Sequence, residues 1–168
     1  VDDPRIHFSL VMVLTAKGQS SDALQYLEAY VRNHSDSEQA RVLLASLLSA
    51  RALQIEDQAP PEEFRKLAAR IELLNPEDPK GYLVRAEVLM RRQPPKFENY
   101  VQAIVLIENA RLVMPEDADV ERRLAVAHRD FGWKLFLASR KDLAMDHFQK
   151  FLKLAPANIE RGPVLRTY

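Results

Sequence analysis

The sequence predicts an all-α chain of about four antiparallel helix pairs, and three observations carry that reading. Apolar residues recur at helical spacing: Leu24, Leu27 and Val31; Phe64, Leu67, Ala68 and Ile71; Ala103, Ile104, Ile107 and Ala110; Leu143, Ala144, Phe148, Phe151 and Leu152. Each such set gives a helix one apolar stripe, and no stretch sustains strand-like alternation. The runs also end alike, on Leu74-Asn75-Pro76, Val113-Met114-Pro115 and Leu154-Ala155-Pro156, with the prolines 39 and 41 residues apart. A step of 41 back from Pro76 reaches Ser35, which closes the run Ala23–Asn33. Finally, only 4 of 168 residues are Gly while 47% are apolar, a helix-friendly composition.

Taken in order, the predicted helices run over about 4–17, 20–33, 36–54, 60–74, 79–92, 97–113, 118–138 and 141–154. Gly18 supplies the first turn. Ser35-Asp36-Ser37-Glu38 reads as a capping box opening the third helix. Pro60-Pro61-Glu62-Glu63 opens the fourth, with acids at the positive end of its dipole. Asp78-Pro79 reads as an N-cap followed by Pro at the first helical position, where a missing N–H costs nothing. Gln93-Pro94-Pro95-Lys96 is a loop, and Asp117 caps the seventh helix. Four units of about 4–35, 36–76, 77–115 and 116–156 therefore tile residues 4–156, and 157–168 form a C-terminal tail without a helix pattern. That tail either folds back through Val164 and Leu165, leads to a further domain, or binds a neighbour's groove.

Chemistry is scarce. There is no Cys, which removes disulfides, thiolate nucleophiles and Cys-ligated metals. His7, His34, His128 and His147 lack metal-site spacing, and no phosphate-binding Gly loop occurs. His128-Arg129-Asp130-Phe131-Gly132 overlaps two kinase signatures inside one predicted helix, which is coincidence, since a kinase keeps them on separate loops. The sequence therefore predicts no enzyme, no catalytic residue, no metal and no cofactor. The 24 basic and 24 acidic residues balance, which opposes nucleic-acid binding. The balance hides a gradient: residues 1–59 hold 8 acids and 5 bases, and residues 139–168 hold 3 acids and 6 bases, net −3 and +3. This fits head-to-tail association or a solvated gradient without function. Phe131, Trp133, Phe136, Phe148 and Phe151 form either an aromatic cage or a packed terminal core, and the core reading is preferred.

No apolar run is long enough to span a membrane. The start at Val1, without an initiator Met, reads as a fragment or a mature form. The compartment is open: the cytoplasm, or the soluble part of a larger envelope protein.

These features resemble the tetratricopeptide repeat (TPR) family. Unit 1 matches through Gly18, Ala23, Leu27 and Tyr30; unit 3 through Tyr82, Ala86, Ala103, Ile107, Ala110 and Pro115; unit 4 through Ala144, Phe148, Phe151 and Pro156. Unit 2 has Ala45 and Pro76 but swaps small and large at Phe64 and Ala68. The period departs from the family's 34 residues by 7, 5 and 7, and no unit has the consensus Trp in its first helix, where Tyr82 can replace it. Seven residues are nearly two helical turns, so a lengthened pair keeps its buried face.

The resemblance implies an α-solenoid, a TPR-like superhelix, whose first helices line a concave groove for a peptide or partner helix. Carried over unit by unit, the groove positions are Arg5, Phe8 and Met12; Val42, Ser46 and Ser49; Leu83, Glu87 and Met90; Arg122, Val126 and Arg129. Arg122 and Arg129 either grip a carboxylate by bidentate bonds or are merely solvated. No Asn stands at these positions, which rejects the family's carboxylate clamp for chaperone tails. The expected function is a non-enzymatic protein–protein interaction scaffold with a protein or peptide ligand. The alternative is a structural assembly spacer that self-associates through its ends.

Overall fold

The computed structural model describes residues 3–91 and 94–155, and all regular structure among them is helical. The helices are α1 (Pro4–Ala16), α2 (Ser20–Asn33), α3 (Glu38–Ile55), α4 (Pro61–Leu74), α5 (Pro79–Met90), α6 (Phe97–Val113), α7 (Ala118–Leu137) and α8 (Lys141–Leu154). The predicted ends lie within two residues of these. One cap differs: Ser37, not Ser35, opens α3, its Oγ accepting from the Ala40 N–H at 3.3 Å. The preceding turn places it there, since the Ser37 N–H donates to the His34 carbonyl at 3.1 Å. Asp117 caps α7 as predicted, accepting from the amides of Asp119 and Val120 at 2.8 and 3.2 Å. Pro61 occupies the first position of α4, with Glu62 and Glu63 in its first turn. The tail 157–168, with Val164 and Leu165, lies outside the described residues.

Every second helix is finished alike. The first amide beyond α2, α4, α6 and α8 (His34, Asn75, Met114 and Ala155) donates to the carbonyl of Tyr30, Ile71, Ala110 and Phe151 respectively, at 2.7–2.9 Å. The buried seams share that register: Ala23, Leu27 and Tyr30; Phe64, Ala68 and Ile71; Ala103, Ile107 and Ala110; Ala144, Phe148 and Phe151. Three of these seams begin with a small residue followed by a large one, and α4 reverses the order with Phe64 before Ala68.

The chain divides into two compact units, Val1–Val84 and Arg85–Tyr168, with the division inside α5. In the first, α1 packs on α2, α2 on α3, and α3 on α4. Its core joins Leu24 and Leu27 to Leu44, Leu48, Phe64 and Ile71, all buried. A fully buried side chain of this size contributes about 1.5–3 kcal/mol. In the second unit α6 packs on α7, and α7 on α8. Its core is aromatic. The Tyr100 and Phe131 rings stack at 5.2 Å with planes 1° apart, and Trp133 meets the Phe148 ring edge-on at 5.3 Å. Phe148 and Phe151 are fully buried. These rings are packing, not an open cage.

Candidate interaction surface

α3 and α7 show how an exposed row arises. Along α3, Ala40, Leu44, Ala45, Leu48 and Ala52 are buried, while Val42 and Ser46 emerge on the other side, Val42 at 42% exposure. Along α7, Val120, Leu124, Ala125 and His128 are buried, while Arg122 is exposed and Val126 half-exposed at the positions equivalent to 42 and 46, and Arg129 is half-exposed one turn on. The same 3.6-residue period that builds each seam leaves this row out of it.

Two predicted groove residues are corrected. Ser49 is fully buried, and its hydroxyl donates to Asp78 Oδ2 at 2.6 Å. The same oxygen accepts from the Gly81 N–H at 2.7 Å, so Ser49 supports the N-terminus of α5 instead of lining a groove. A buried carboxylate needs such donors to offset its lost hydration. Leu83 is 2% exposed and belongs to the core. Others are partly engaged. Phe8 lies edge-on to Tyr30 at 5.8 Å, and Met90 packs against the aromatic cluster. Met12, at 65% exposure, is open.

The charged candidates sit in ion-pair networks. Arg5 is held by Asp3, its terminal nitrogen 2.9 Å from the carboxylate. Glu87 accepts from Arg91 at 2.6 Å and from Arg123 at 3.4 Å. Arg123 continues to Asp119 at 2.7 Å, and Arg122 bonds the same carboxylate. Burial would raise the Asp119 carboxyl, but the Arg123 and Arg122 guanidiniums outweigh it and hold the group below its ordinary range. Arg129 pairs with its neighbour Asp130 at 2.8 Å. Each of these arginines therefore has a local acid, and the exposed pairs of Arg5 and Arg122 contribute little to stability.

Sequence reasoning missed one polar pair. His128 on α7 and His147 on α8 face each other with Nδ1 atoms 2.8 Å apart, so one ring donates and the other accepts. Burial, then His147, then Lys150 push His128 down to about 4. Burial, then Lys150 lower His147 as well, with Asp146 opposing. The signal was spacing across the hairpin: His128 lies nine residues before the end of α7 and His147 six after the start of α8, the same offsets that His7 and Tyr26 have in α1 and α2. Among the described residues no group of three or more His, Cys, Asp or Glu could hold a metal, and no helix is long and apolar enough to cross a membrane.

No family model matches the chain, and no curated protein matches it. Solved structures do. The MamA RS-1 ArsTM double mutant aligns at 15% identity and a TM-score of 0.47, covering 92% of this chain and 95% of its own. MamA 41-end from Desulfovibrio magneticus RS-1 aligns at the same identity and TM-score, covering 95% of this chain and 99% of its own.

Proposed function

We propose that the chain is a non-enzymatic protein–protein interaction module that offers the exposed rows of its first helices to a peptide or partner helix. The four-unit organisation of residues 4–156 belongs to the same proposal. The observation that carries it is the row itself: Val42 and Ser46 on α3 recur as the exposed Arg122 and half-exposed Val126 on α7, outside the buried seams, with the half-exposed Arg129 one turn further along α7. The mixture is apt for a peptide. Val42, Val126 and Met12 give apolar contact, and Met adapts its shape. Arg122 and Arg129 recognise carboxylates by planar, two-point bonding. Packed helices present these groups with little ordering cost on binding.

The test is charge reversal at Arg122 and Arg129. A binding partner isolated with the native chain should lose affinity by about ten-fold or more, the equivalent of one charge-assisted contact. Far-ultraviolet circular dichroism should not change. Undiminished binding by the reversed chain would remove α7 from the recognition surface.

A further inference from the structure

The first unit contains a cleft of about 460 Å³ between α2, α3 and α4. Its floor is apolar, with Leu24 and Leu48 buried and Ile55 and Leu67 half-buried. Glu28 of α2 and Arg70 of α4 bridge it at 2.8 Å and neutralise each other. Arg51 of α3 and Lys66 of α4 also line it, and neither has a hydrogen-bond or ion-pair partner among the described residues. Against them stands one further lining carboxylate, Glu63.

Concavity, an apolar floor and a few convergent charges are what a ligand site requires. The sign of the unpaired charge sets the ligand. We infer that this cleft binds a short acidic-amphipathic peptide segment, which seats an apolar side chain on Leu48 and Leu67 and a carboxylate between Arg51 and Lys66. The Arg51 guanidinium matches a carboxylate with two parallel donors, and Lys66 adds a point charge.

This site is separate from the proposed row on the first helices. Arg51 lies nine residues after Val42, about 180° around α3, so the two face opposite ways. The cations are also particular to this hairpin. At the equivalent positions of α7 and α8 stand Phe131, which is buried, and Asp146, so the second unit repeats the fold without the charge.

The experiment uses the full chain and a fluorescein-labelled peptide of alternating leucine and aspartate pairs, read by anisotropy and by amide chemical shifts. The expected result is saturable binding, with shifts confined to α2, α4 and the C-terminal half of α3. Replacing each aspartate by asparagine should weaken binding by about ten-fold, one charge-assisted contact. The double variant Arg51→Glu/Lys66→Glu should bind equally poorly and should accept the lysine version of the peptide instead. Val42→Asp should leave the affinity unchanged, which keeps this test independent of the proposed row. No saturation by about 1 mM peptide, equal binding by the double variant, or shifts around Val42 would each overturn the inference.

Discussion

The first hairpin, α1/α2, and the last, α7/α8, share a turn geometry but are built with different side chains. A shift of 121 residues superposes their features in sequence. Gly18, at φ 76°, becomes Ser139, at φ 62°. The amides of Gln19 and Arg140 both bond at 2.9 Å across the turn, to Leu14 and Leu135 respectively. The hydrogen bond between His7 and Tyr26 becomes the one between His128 and His147. Buried Val11 and Leu27 become Gly132 and Phe148, and there the ring approaches the glycine closely. What differs is investment in the core. Only Val11 of α1 is buried, and Ile6, Leu10 and Val13 are exposed, whereas α7 buries eight residues. The comparison teaches that backbone geometry is set by the turn and the seam spacing, while volume and polarity at each level are free to trade.

The largest test of that trade is acid. His128 has a folded value of about 4 against 6.5 for the ordinary group, so the unfolded chain binds more protons between these limits. The contribution of neutral His128 is therefore fully present above about pH 6.5 and is lost as pH drops toward about 4, on the order of 3 kcal/mol. Arg129 and Asp130 on α7, and Asp146 and Lys150 on α8, lie near the pair in sequence. The α3/α4 hairpin places Leu48 and Leu67 at the same level. His128→Leu/His147→Leu should thus flatten urea midpoints between pH 7 and 4.5. A slope that survives this exchange would assign the acid sensitivity elsewhere.

Next in size is the volume swap. A Cβ on Gly132 would stand 2.6 Å from Phe148 Cε1, and that ring is fully buried. Gly132→Ala should therefore cost about 1–3 kcal/mol, although Ala is the better helix former. Adding Phe148→Leu, which approaches the Val11–Leu27 pairing, should recover part of the loss in a double-mutant cycle. Strict additivity would mean that the two levels are not equivalent.

The smallest effect is at the turns. Ser139 carries a side chain in the left-handed region, where Gly18 carries none. Ser139→Gly should stabilise by about 1 kcal/mol and Gly18→Ser should destabilise by a similar amount, both read from thermal unfolding. Equal effects of one sign would show that the turns differ.

Much of this fold was legible in the chain. Asp78-Pro79, Asp117 and Pro61 mark helix starts through local hydrogen bonding and fixed φ, which act within a few residues. The seams followed because burial repeats at the helical period. What was not legible was contact between distant residues. Stepping along α3 from Val42 and Ser46 reached Ser49 and predicted exposure, but the position is claimed by Asp78, 29 residues away. His128 and His147 looked like separate helical histidines until the turn folded them together. The cleft cations Arg51 and Lys66 carry no signal in the sequence, because the apolar floor beside them is assembled only when α2, α3 and α4 pack.

If the row on the first helices meets a partner, a crosslinker placed in it will capture that partner. A photo-crosslinking side chain at Val126, compared with one at the exposed Gln149 on α8, tests it most directly. Position 126 should yield a crosslinked partner and 149 none, with competition by excess unmodified chain. Crosslinks from 149 alone would place recognition on the second helices and contradict it.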